Sequence, residues 1–89
     1  MKKAIKHTDL YIGQLVVLNK HTDAQVYTIA EIEDFTVTLM WYEGKRLCVN
    51  VWDSSRFFYP DLEQIEYSIN SNGRLATVRD RMEARLTAA

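Results

Sequence analysis

The sequence predicts a mainly-β domain, α+β by content, in which five short strands are followed by a C-terminal amphipathic helix. Three observations predict it. Strand-like runs of β-branched and aromatic residues fill the chain from Leu15 to Tyr67. The segment Asn70-Ser71-Asn72-Gly73 then interrupts them. Beyond it, Leu75, Val78, Met82 and Leu86 recur at steps of three, four and four, the spacing of one helix face.

Taken in order, Gly13 precedes a first strand, Gln14-Leu15-Val16-Val17-Leu18, which ends at the polar turn Asn19-Lys20-His21-Thr22-Asp23. The second run, Val26 to Ile32, carries its large residues at Tyr27, Ile29 and Ile32. A step of two followed by a step of three marks one extra residue, a β-bulge near Ala30-Glu31. Glu33-Asp34 forms a break without glycine, so a tight turn there would carry strain. Phe35 to Tyr42 is the third strand, with Phe35, Val37, Leu39 and Trp41 on one face. Glu43-Gly44-Lys45-Arg46 is a hairpin loop with glycine placed for an unusual φ.

Leu47, Val49 and Val51 alternate with Cys48, Asn50 and Trp52 in a fourth strand. Asp53-Ser54-Ser55-Arg56 is a loop, and Phe57-Phe58-Tyr59-Pro60 a helical turn or irregular edge, because proline lacks a ladder donor. Glu63 to Tyr67 closes the sheet as a fifth strand. The expected core is Leu15, Val17, Ile29, Ile32, Val37, Leu39, Val49, Val51 and Ile65, with Trp41 at its rim. The chain thus divides into a basic arm (1–12), a β-domain (13–69) and a turn with helix (70–89).

The stretch from Gly13 to Tyr67 resembles the small SH3-like barrels, the group that includes KOW and Tudor modules. The residues that carry the likeness are Ile12-Gly13-Gln14-Leu15-Val16, the bulged Tyr27-x-Ile29-x-x-Ile32, Val37-x-Leu39-x-Trp41, Val49-x-Val51 and Gln64-Ile65-Glu66. It is similar also to small proteins of phages and mobile elements that use this barrel. The resemblance implies a five-stranded barrel, an architecture that hides strand edges around one small core.

With 89 residues, the chain has room for one domain and buries only about 60 to 65% of its unfolded surface. Its one cysteine, Cys48, allows no internal disulfide, and no apolar run approaches a membrane span, which points to a reducing cytoplasm. The net charge is −1 but unevenly spread. Residues 21–69 hold nine acids against three bases, whereas the ends are basic through Lys2, Lys3 and Lys6 and through Arg74, Arg79, Arg81 and Arg85.

Catalytic and metal-binding patterns are weak. Lys6-His7-Thr8-Asp9 recurs as Lys20-His21-Thr22-Asp23, but two His-x-Asp pairs without a further ligand do not complete a metal site. Cys48 lies mid-strand with no histidine suggested beside it, and Glu31 and Glu33 read as solvated strand residues. No phosphate loop or catalytic triad order is present. The expectation is a protein that is not an enzyme, with no metal and no cofactor.

The informative feature is apolar surface. Trp41, Tyr42, Trp52, Phe57, Phe58 and Tyr59 fall within nineteen residues, more than a small core can hide. Either the stripe Leu75, Val78, Met82 and Leu86 packs on these aromatics, or both surfaces meet another chain. A cage for methylated cations, as in Tudor domains, is a minor third reading. The leading expectation is a protein-interaction module that binds a partner or itself. The alternative is nucleic-acid binding through the lysines and arginines of the two ends.

Overall fold

A computed structural model describes residues 4–18, 25–53 and 56–88. β1 (Leu15–Val16), β2 (Tyr27–Ile32), β3 (Thr36–Glu43) and β4 (Arg46–Asp53) form an antiparallel sheet in the order β1-β2-β3-β4. Gly44, at φ 63°, turns β3 into β4 between the paired residues Glu43 and Arg46. That left-handed conformation is one a glycine adopts without a Cβ penalty. The register shifts between Ile29 and Glu31, which is the bulge that the residue spacing predicted. By absorbing one residue it brings both Ile29 and Ile32 to one cluster.

That cluster forms the main core: Ile5, Val16, Ile29, Val37, Leu39 and Phe57, with Leu10, Leu18, Tyr27, Ile32 and Trp52 packed against it. A second cluster of Val17, Val26 and Phe58 meets Leu15, Ile65 and Leu75. Neighbouring residues such as Val16 and Val17, or Phe57 and Phe58, enter different clusters because side chains alternate across extended backbone. Phe58 exchanges both backbone hydrogen bonds with Val17 (2.9 Å each), and Ile5 N–H donates to the Phe57 carbonyl (2.7 Å). The buried Ile5 thereby ties the segment read as an N-terminal arm to the core.

Several expectations are corrected. Among the described residues the sheet has four strands and does not close, so the predicted five-stranded barrel is not formed. Residues 63–67, expected as the closing strand, lie instead in a helix, α1 (Leu62–Asn72). The reason is local. Asp61 accepts from Gln64 N–H (2.8 Å) while the Gln64 side-chain oxygen accepts from Asp61 N–H (3.0 Å), a reciprocal capping box. At the other end Gly73, at φ 91°, donates its N–H to the Ile69 carbonyl (2.8 Å) and stops the helix.

Phe35 is not on the core face. It sits in the β2–β3 turn, 83% exposed, where Glu33 N–H donates to Thr36 O (2.8 Å). Among the described residues none but glycine takes a positive φ, so the longer turn avoids the strain of a two-residue one. Val49 and Val51 are also outside the core. Val37 pairs with Trp52 and Leu39 with Asn50, so the core-facing side of β4 is the Trp52 side. Val49 and Val51 occupy the opposite face, 37% and 57% exposed.

The C-terminal helix forms as α2 (Val78–Ala88), starting after Leu75 rather than before it. Thr77 sets that start. Its hydroxyl accepts from Asp80 N–H (3.2 Å), and the Asp80 carboxylate accepts from both Thr77 N–H (2.8 Å) and the Thr77 hydroxyl (2.9 Å). Both helices turn polar residues inward. Gln64 and Ser68 of α1 and Asp80 of α2 are buried, while Leu62, Tyr67, Ile69, Met82 and Leu86 are exposed. The described residues span 43 × 33 × 15 Å, about one sheet and one helix thick.

Candidate interaction surfaces

The predicted aromatic surface divides into three parts. Trp41 and Trp52 join Tyr27 in a trio on the core side of the sheet, with ring centroids 5.2, 5.5 and 5.7 Å apart in edge-on or tilted contact. Such contacts add about 0.5 to 1.5 kcal/mol each beyond burial. Trp41 Nε1–H donates to Glu43 Oε1 (3.2 Å). Burial, followed by the Glu43 charge, pushes the Tyr27 phenol above its ordinary pKa. The rings touch one another, so they do not stand apart as a cage for a methylated cation would require.

Phe57 and Phe58 are buried, one in each cluster, whereas Tyr59 is exposed. Tyr42 lies half-buried on the helix side, its ring 4.7 Å beneath the Arg74 guanidinium. Desolvation, then the Asp80 carboxylate, raises the Tyr42 pKa against the opposing pull of Arg74. Tyr27 was not among the expected surface aromatics. Its signal was the bulge, which with Thr28 opposite Met40 leaves Tyr27 directly across from Trp41.

The helix stripe is divided as well. Leu75 packs on the second cluster, and Val78 stands beside Gly13, where a Cβ would meet it at 3.4 Å. Met82 and Leu86 project to solvent, 60% and 77% exposed. The stripe therefore does not pack on the aromatics as a unit: Leu75 joins the cluster that holds Phe58, while Met82 and Leu86 stay in solvent. Polar contacts also tie α2 and the segment before it to the sheet. Arg81 lies 3.6 Å from Glu31, Arg85 donates to the same carboxylate, and Thr28 Oγ1 donates to the Ala76 carbonyl (2.7 Å).

Arg74, between the two helices, donates to Asp80, and Arg79 Nε pairs with Glu83 (3.0 Å), so Arg74 and the α2 residues Arg79, Arg81 and Arg85 each have a carboxylate partner within the chain. Burial raises the Asp80 pKa, but the bonds from Arg74 and Thr77 outweigh it and leave the carboxyl below its ordinary value. The bond to Asp80 raises Arg74 correspondingly. Arg81 Nε is buried without a hydrogen-bond partner, a local penalty in this network. Lys6 is exposed, and Lys2 and Lys3 lie outside the described residues.

The remaining chemical candidates stay dispersed. His7 and Asp9 occupy an exposed 3-10 turn, while His21 and Asp23 lie outside the described residues. Cys48 is half-buried in mid-strand, its Sγ 3.9 Å from the Arg46 carbonyl. Among the described residues no three His, Cys, Asp or Glu side chains come together as metal ligands. Among the described residues no helix is long and apolar enough to cross a membrane.

No protein family, no characterised protein and no solved structure matches this chain. Function therefore has to be argued from the surfaces themselves.

Proposed function

We propose that this chain is a non-catalytic protein-interaction module that associates with itself. The observation that supports this reading is apolar side chains left in solvent, with Met82 and Leu86 on α2 and Val51 on β4 each more than half exposed. Covering one such side chain contributes on the order of 1.5 to 3 kcal/mol, a large return for a domain of marginal stability. A slab this thin cannot cover them itself, whereas a second copy can.

A nucleic-acid partner held by Lys6 and the helix arginines has less support. Each arginine would have to leave a carboxylate of its own chain before meeting phosphate. Sedimentation equilibrium of the full chain, from low-micromolar to near-millimolar concentration, tests the proposal. The expected result is a monomer–dimer equilibrium, and a monomer throughout would refute it.

A further inference from the structure

We infer that the outer edge of β4 pairs antiparallel with the β4 edge of a second copy, in the one register that places Val49 opposite Val49. This rests on the self-association reading and names the surface that carries it. β4 ends the sheet, and among the described residues nothing pairs beyond it. An eight-residue strand with an open edge is a template for another strand.

The direction of the free backbone groups is readable. Val51 N–H donates to the Asn50 side chain (2.8 Å) rather than to β3, so it faces outward. Alternation in an antiparallel ladder turns Leu47, Val49 and Asp53 the same way. Pairing through these groups allows only registers in which odd-numbered residues meet odd-numbered residues.

Three central registers satisfy that condition. Placing Leu47 opposite Val49 overlaps only Arg46 to Asn50 of each β4 and leaves Val51 opposite the β3–β4 turn. Placing Val49 opposite Val51 puts Leu47 against Asp53. With Val49 on the two-fold axis, Arg46 to Trp52 of each β4 overlap, Leu47 meets Val51 in both halves, and Lys45 in each hairpin turn stands at the end of the ladder nearest Asp53 of the second copy. On the other face Arg46 meets Trp52, whose ring belongs to the aromatic trio. Arg46, Val49, Val51 and Asp53 are exposed and Leu47 is half-buried, so the edge is accessible as it stands.

Among the described residues the Asn50 side chain shields this edge, occupying the Val51 N–H that the register would give to the partner's backbone. Its position explains why association should be a concentration-dependent equilibrium and not irreversible sheet growth. Dimerisation joins the two β4 edges, and each sheet's far side is bounded by β1 with Val17 bonded to Phe58.

Sedimentation equilibrium on the full chain and its variants tests the inference. Val49→Lys sets two ammonium groups across the axis and should weaken the dimer at least tenfold, with an unchanged circular dichroism spectrum. Lys45→Glu should weaken it several-fold, and Lys45→Glu with Asp53→Lys should restore it. In a Cys48→Ser background, Val49→Cys should cross-link between copies under mild oxidation, since facing Cα atoms in a hydrogen-bonded pair lie about 5.5 Å apart. Val51→Cys in the same background should not, because its counterpart is Leu47. A wild-type dimer that survives Val49→Lys overturns this edge but leaves self-association standing, and equal cross-linking at both positions overturns the register. A wild-type monomer overturns both.

Discussion

Along β3 the residues Val37 to Met40 are all buried, and apart from Thr38 all are apolar. Along α1 the buried residues are Gln64 and Ser68, while Leu62 and Ile69 face water. The two regions meet the same requirement by different means. In the sheet, neighbouring strands satisfy the backbone, so inward positions are free to be apolar. In the helical layer, the inward positions supply partners that the short β1 leaves missing. Ser68 Oγ accepts the Val26 N–H (2.9 Å), a buried donor beyond the end of the β1–β2 ladder. Asp80 caps its own helix and holds Arg74. Polar residues face inward there because unsatisfied buried donors are expensive, about 1 to 3 kcal/mol each.

The largest break in this contrast should come from the sheet core. Leu39→Ala leaves a cavity in a fully buried position and is expected to destabilise by roughly 2 to 5 kcal/mol in urea unfolding. The same truncation in the helical layer, Leu86→Ala, should stay within about 0.5 kcal/mol for the monomer, since that side chain is already in water. If the two variants unfold alike, the exposed face of α2 is covered in solution even at low concentration. Next in size, Ser68→Ala removes only an oxygen yet should destabilise by about 1 to 3 kcal/mol, because Val26 N–H loses its acceptor. A change within experimental error would mean that water reaches this site.

The smallest expected effect is a pH dependence. The Asp80 carboxyl has a folded pKa below its unfolded value near ~3.9, so its contribution is complete above that value. It is lost as pH falls through the lower, folded pKa. Asp80→Asn should therefore lower stability at neutral pH and flatten the acid limb of the stability curve. An acid limb identical to wild type would assign that limb to other carboxylates.

Legibility in the sequence followed the same division. The bulge at Ile29–Glu31, the Gly44 hairpin and the strands beside it were readable, because alternation and glycine act over a few neighbouring residues. Residues 63–67 carry the alternation of a strand at Ile65 and Tyr67, but Asp61 and Gln64 stand at capping-box spacing, the signal that decides the helix. With that strand lost, the likeness to a closed barrel lost its closing element. Among the expected surface residues, Phe57 and Phe58 proved to be core, while Met82 and Leu86 proved open to solvent.

By itself, the sequence determined where β2, β3, β4, the Gly44 hairpin and the last helix lie to within a few residues, since those choices depend on propensity, spacing and caps along a short stretch of chain. Which face of each element turns inward was decided only by the tertiary structure. Val49 and Trp52 alternate on one strand, and nothing local says which side meets Leu39. The register with β3 does, by placing Trp52 beside Val37 and Tyr27 and leaving Val49 at an open edge. Facing is a property of the pair of elements that meet, because burial and hydrogen-bond satisfaction are balanced across the contact and not along the chain.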